Sequence, residues 1–185
     1  MNKTSGILLA LVVAAGTTAY AGDKSFAGRF VRDDNRRAFT VVLTEARLIT
    51  IRTVSYGGGV SASGETIPPG GFDPSLFLFN AEGLLIAQNR DGGCTAVTAD
   101  PTTGRCWDAH LEVRLPAGTY HLVLTQDDNT PLGPFLPDGF SRDQAGNFTA
   151  EMAGLSPAPF WDVTPAERNG SYSVDILGAD SANPE

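Results

Sequence analysis

The sequence predicts an all-β protein, an antiparallel two-sheet β-sandwich of jelly-roll type, and three observations carry that expectation. Apolar and polar residues alternate over short runs, turn-forming residues separate those runs, and no window past the N-terminal leader suits an amphipathic helix. Phe26, Gly28 and Phe30 alternate before a polar turn over Arg32–Arg37. Phe39, Val41 and Leu43 come next, and after Thr44-Glu45-Ala46 the run RLITIRTVSY is rich in β-branched residues. The stretches Gly57–Gly59 and Pro68–Gly71 interrupt the pattern. Leu76–Phe79 and Leu84–Ala87 then read as a hairpin around Asn80-Ala81-Glu82-Gly83. The last clear strand is Ser171–Leu177, with Tyr172, Val174 and Ile176 on one face; a weaker run at Asn147–Glu151 brings the total to about nine strands. A long irregular region, Gln126–Asn169, precedes that last strand. So many short antiparallel strands imply two packed sheets, with a closed barrel as the alternative.

A second hairpin allows a finer reading. Leu111, Val113 and Leu115 alternate before Pro116-Ala117-Gly118, and Tyr120, Leu122 and Leu124 alternate after it. Both apolar sets must face the core, which sets the parity of the register. The simplest pairing joins Leu115 to Tyr120, Val113 to Leu122 and Leu111 to Leu124. It puts His121 across from Arg114 and His110 across from Thr125. At a rise of about 3.4 Å per residue the histidines are then more than ~10 Å apart, too far to share a metal.

Residues 1–21 read as a cleaved signal peptide. Lys3 supplies the charge, Gly6–Gly16 the apolar run, and Ala19-Tyr20-Ala21 the small residues of a cleavage site. The run is shorter than the ~20 apolar residues that span a bilayer, and no cysteine follows the cleavage site. The expected product is a secreted or periplasmic domain, residues 22–185, with no transmembrane segment. Of 13 Lys and Arg, loss of Lys3 leaves 12 against 21 Asp and Glu, a net −9. Nucleic acid and anionic membranes are poor partners for that charge.

Cys94 and Cys106 are the two cysteines, and in an exported chain they read as one disulfide. They flank a turn-rich segment containing Ala99-Asp100-Pro101-Thr102 and Gly104. Closing so short a loop stabilises a fold by about 3 kcal/mol on the chain-entropy model. Neither C-x-x-C spacing nor a neighbouring histidine points to a metal or redox pair. Trp107 is expected to pack near the bridge.

Two segments, GGFDPSLFLFNAEGLLIAQNRDGG and DAHLEVRLPAGTYHLVLTQDDN, together resemble the bacterial pre-peptidase C-terminal domain. Asp73-Pro74 introduces a strand, Asn80–Gly83 is the turn, Asn89–Gly93 the acidic loop, and Asp108–Tyr120 the closing hairpin. Arg90 stands where that pattern commonly has a second acid. With Gln126–Asn129, Asp138-Gly139-Phe140 and Arg168–Tyr172 added, the chain is similar to a DVUA-named family of secreted bacterial proteins of unknown function. The resemblance implies a jelly-roll sandwich outside the cytoplasm and no assigned activity. Relatives of this kind often end in a sorting helix with an arginine-rich tail, a pattern that Asn183-Pro184-Glu185 does not show.

Two groups of residues are candidates for binding. Asp73, Asp91, Asp108 and Asp127 stand at predicted strand ends, and convergence at one pole of the sandwich would give oxygen ligands of the kind calcium takes. The competing explanation is that Asp and Asn occupy turns because they bend and cap backbone. Trp161 and Phe160, with Asp128 and Asn129, offer apolar faces and acceptors suited to a carbohydrate. Those aromatics could equally pin the long region to the sandwich. Catalysis has little support: Gly139-Phe140-Ser141-Arg142-Asp143 lacks the final glycine of a nucleophile elbow, and Gly57–Gly59 lacks a phosphate-loop lysine. The expectation is a secreted non-enzymatic binding or surface-associated module, engaging extracellular polysaccharide or an envelope component, with a structural calcium. A self-assembling envelope or matrix protein is the alternative, and a secreted hydrolase ranks third.

Overall fold

The computed structural model describes residues 22–152, 154–155 and 159–185; the expected signal peptide lies outside them. Eleven strands are present among the described residues: β1 Lys24–Arg29, β2 Arg36–Leu43, β3 Arg47–Thr53, β4 Gly59–Val60, β5 Thr66–Ile67, β6 Pro74–Phe79, β7 Leu85–Asn89, β8 His110–Leu115, β9 Gly118–Gln126, β10 Ser171–Leu177 and β11 Ser181–Pro184. They form a four-stranded sheet, β1-β10-β3-β8, a five-stranded sheet, β11-β2-β9-β6-β7, and a small β4-β5 ribbon. Neighbours within each sheet are antiparallel. With the ribbon and β11 set aside, eight strands divide into two four-stranded layers in jelly-roll order, the chain changing layer at each step except the β6-β7 hairpin.

The alternation seen in the sequence fills the space between the layers. Phe39, Val41 and Leu43 of β2, Leu76 and Leu78 of β6, and Tyr120, Leu122 and Leu124 of β9 face Ile49, Ile51, Leu111, Leu115, Val174 and Ile176 from the other sheet. Removing a large buried side chain such as Phe39 costs ~3–5 kcal/mol through lost transfer energy and the cavity left behind. Strand β6 is buried along its whole length, so no alternation shows in it. Its Phe77 and Phe79 form a second apolar cluster with Val123 and Phe140. Phe140 belongs to the long region after β9, which therefore covers part of one outer sheet face.

Three expectations need correction. The apolar residues of β8 and β9 face the core, as their parity requires, but the two strands do not form a hairpin. Leu115 pairs with Arg47 and Leu111 with Ile51, whereas Tyr120 pairs with Val41. Pro116 and Ala117 carry the chain across from one sheet to the other, and the Tyr120 hydroxyl braces that corner by donating to the Pro116 carbonyl at 2.8 Å. Parity alone cannot separate side-by-side pairing from two strands facing each other across a core. Residues 147–151 form no strand; Thr149–Met152 is a single helical turn, α1. Ser171–Leu177 is followed by β11, whose Ser-Ala-Asn-Pro run lacks alternation and tolerates Pro184 because it lies at a sheet edge.

The β6-β7 hairpin turns at Asn80–Gly83, with Gly83 at φ +80° and the Leu84 amide donating to Asn80 Oδ1 at 2.8 Å. Gly28 in β1 is needed for a different reason. The Tyr172 ring crosses over it, and a Cβ there would come within 2.3 Å of the phenol oxygen. The disulfide is present, joining Cys94 to Cys106 with their Cα atoms 5.1 Å apart. Trp107, beside it, packs on Tyr56 at 5.3 Å.

Replacing both cysteines by serine is expected to lower the unfolding free energy by about 3 kcal/mol. Urea denaturation of the double variant against the oxidised parent measures this. A loss below about 1 kcal/mol would show that other contacts already hold the loop.

Candidate functional site

The acids divide by what their oxygens meet. Asp108 is buried, and Oδ1 accepts from Thr53 Oγ1 at 2.7 Å, Ser55 N at 2.8 Å and Tyr56 N at 3.1 Å, while Oδ2 accepts from Gly57 N at 2.8 Å. Its place among the expected calcium ligands is therefore corrected: it holds the chain leaving β3. Asp33 serves the long region in the same way, accepting from the Phe148, Thr149 and Phe160 amides and the Thr149 hydroxyl. Asp100 pairs with buried Arg168 at 3.1 Å. Burial raises the Asp100 pKa, but hydrogen bonds from Arg168 and Thr103 outweigh it and hold the group below its ordinary value.

Asp73 and Asp127 line one cavity at the pole where β6 starts and β9 ends, and Asp91, which follows β7, lies near enough to feel the charge of Asp127. Asp73 precedes β6, and its carbonyl accepts the Asp127 amide at 2.8 Å. A small cavity of about 20 Å³ lies between Asp73, Gln126, Asp127, Thr149, Trp161, Asp162 and Val163. That is room for one water-sized or ion-sized occupant. The pKa of Asp73 is well above the ordinary carboxylate value, through burial first and then repulsion from Asp127, Asp91 and Asp162, with Arg90 opposing. Asp91 is raised for the same reasons, burial ahead of Asp127. Arg90 donates from Nε and Nη2 to Asp127 Oδ1 at 2.8 and 2.5 Å.

Two buried atoms on the cavity's lining residues lack partners. Gln126 is 2% exposed and its Oε1 accepts no hydrogen bond; the Trp161 Nε1 proton is likewise unclaimed. A buried polar atom left unpaired costs ~1–3 kcal/mol; a water would serve both atoms, whereas a cation would serve the Gln126 oxygen alone. Among the described residues no three His, Cys, Asp or Glu side chains converge as a metal cage. A cation here would depend on Asp73, the free oxygen of Asp127, the Gln126 amide oxygen, main-chain carbonyls and water.

The expected carbohydrate residues separate. Trp161 is half-buried at the cavity, beside Val163, which is 63% exposed. Phe160 is a core residue, stacked on Phe72 at 5.7 Å, and offers no face to a ligand. Asp128 is ion-paired to Arg142, and buried Asn129 accepts the Arg142 amide at 3.0 Å. Both pin the 140–143 segment, so their assignment to a ligand site is corrected. Gln126 and Asp162 went unnoticed in the sequence. Gln126 closes a strand with no local pattern to mark it, and Asp162 reaches the pole only through the course of the long region. The histidines stand in different sheets, His121 on Glu185 at 2.8 Å and His110 3.8 Å from Glu112.

Substitutions at the two kinds of aspartate are expected to have opposite signs. Asp108→Ala strands the Ser55, Tyr56 and Gly57 amides and costs at least about 3 kcal/mol. Asp73 holds its proton in the fold at pH values where the unfolded chain has lost it, so cation-free stability falls as pH rises from the ordinary carboxylate value to the raised one. Asp73→Asn, measured in chelator at neutral pH, is accordingly expected to melt higher than the parent by a few degrees. Thermal melts across pH check both; a lower melting point for Asp73→Asn would refute the repulsion.

No family model matches this chain, and no curated protein does. Among solved structures it is similar to the pre-peptidase C-terminal domain of a Bacillus anthracis collagenase, at 10% identity and a TM-score of 0.39, over 87% of this chain and 89% of that one. The DVUA-named family, like any other, has no matching model.

Proposed function

We propose that the chain is an extracytoplasmic, non-enzymatic binding module that takes up calcium at the Asp73 pole and offers Trp161 and Val163 to a neutral polysaccharide. The observation that carries the proposal is the buried, unpartnered Gln126 Oε1, on a residue that lines the same small cavity as Asp73 and Asp127. Two oxygen acceptors around an ion-sized space favour a hard cation. Calcium fits better than magnesium, since it accepts amide and carbonyl oxygens in irregular arrangements, whereas magnesium demands near-octahedral geometry.

For the compartment, support comes from chemistry of a different kind: a disulfide persists where the surroundings are oxidising. Outside the cytoplasm calcium is plentiful enough to fill sites of modest affinity. For the polysaccharide, support comes from Trp161, a half-buried aromatic at the mouth of the cavity, flanked by exposed Val163. The acidic pole disfavours an anionic glycan and leaves neutral sugars as the better match.

Calcium that binds only the folded state stabilises it by mass action, about 2.7 kcal/mol at a hundredfold excess over Kd. The melting temperature of the mature protein should therefore rise by several degrees in millimolar calcium and return with chelator. The rise should be lost in Asp73→Asn and kept in Trp161→Ala. Affinity electrophoresis through neutral polysaccharides should retard the parent in calcium and not Trp161→Ala. An unchanged melting temperature would overturn the calcium reading, and equal mobility of the two proteins would overturn the glycan reading.

A further inference from the structure

We propose that Arg90 is an internal competitor for the cation, an arginine that neutralises the pole when calcium is scarce and sets how much calcium is needed to fill it. The inference rests on the calcium reading above. Both donor nitrogens of Arg90 converge on one oxygen of Asp127, which Ser75 Oγ also approaches at 3.4 Å. Asp127 and Asp73 both line the cavity. Arg90 also feels the attraction of Asp128 and Asp73.

A cation entering the cavity meets that positive charge at short range. Like charges at the same carboxylate oppose each other, and the smaller, more highly charged ion gains more from Asp73 and Asp127 than a delocalised guanidinium does. Arg90 can give way because it lies at the surface: its side chain is 46% exposed, and water can solvate it once released. An exposed ion pair of this kind is held weakly, which suits a group that must yield. Buried Arg168 shows the contrast. It is 2% exposed, held by Asp100 and the Tyr56 and Gly71 carbonyls, and cannot swing out. The module's uptake of calcium is therefore graded by a residue outside the ion's own ligand set.

Isothermal titration of calcium into mature parent, Arg90→Gln and Arg90→Lys tests this. Removing the charge should tighten calcium binding about tenfold in Arg90→Gln and lower its melting temperature in chelator. Arg90→Lys keeps a charge at that position and should stay within about threefold of the parent. Equal or weaker affinity in Arg90→Gln, with binding by the parent, overturns the competition and leaves the calcium reading standing. Uptake by Arg90→Gln alone supports the competition and overturns the calcium reading for the natural chain. No uptake by any of the three overturns both. Should Arg90→Gln fail to fold, a parent-like affinity in Arg90→Ala decides against the proposal in the same way.

Discussion

Buried aspartates hold this chain's loops as strand partners hold its sheets. Each main-chain amide removed from water needs an acceptor, and the long connections of a jelly roll have no ladder to supply one. Asp108 answers for the turn after β3, and Asp33 ties the long region between β9 and β10 to the turn after β1. Asp175 joins Ser25, Arg52 and the Ala62 amide, so that β1, β3 and the ribbon share one carboxylate. Burying a charge is expensive unless it is paired and hydrogen-bonded, and these are. An acidic composition is thus partly an interior property here, and net charge alone says less about the surface than it suggests.

Arg168 extends the same logic to the disulfide loop. Its guanidinium lies 3.9 Å over the Tyr56 ring, pairs with Asp100, and donates to the Tyr56 and Gly71 carbonyls. Tyr56 in turn donates to Asp162 at 2.8 Å. Asp162 is the residue that brings the long region to the cavity's edge. The rigid network therefore runs up to the pole and stops there. Next to it the Gln126 side-chain oxygen has no hydrogen-bond partner, in a structure where the buried acids Asp33, Asp108 and Asp175 are well supplied. That contrast, rather than the number of acids, marks the pole as different.

How much of this was legible in the sequence depended on the range of the signal. Phe39-Val41-Leu43 and Tyr172-Val174-Ile176 announce strands because a period of two is local. The Asn80–Gly83 turn is legible for the same reason. The β8-β9 pairing was misread because both strands carry the right parity for either a hairpin or a crossing between sheets, and only global topology separates the two. At the site, Asp73, Asp91 and Asp127 were findable as acids at strand ends. Asp108 has the same local signature, yet its oxygens are taken by amides some fifty residues away in the chain. Phe160 looked like Trp161, its neighbour, but the stack on Phe72 turns it inward. Gln126 carries no sequence signal, since its importance lies in a missing partner.

In the proposed reading, the cavity between Asp73 and Gln126 holds a cation. Crystals of the mature protein grown with calcium, or with a lanthanide in its place, test it most directly through anomalous scattering. One anomalous peak is expected in that cavity, with Gln126 Oε1 and an Asp73 oxygen about 2.3–2.6 Å away. A water molecule in the cavity, donating to Gln126 Oε1 and accepting from Trp161 Nε1 while the crystal holds ample calcium, would contradict it.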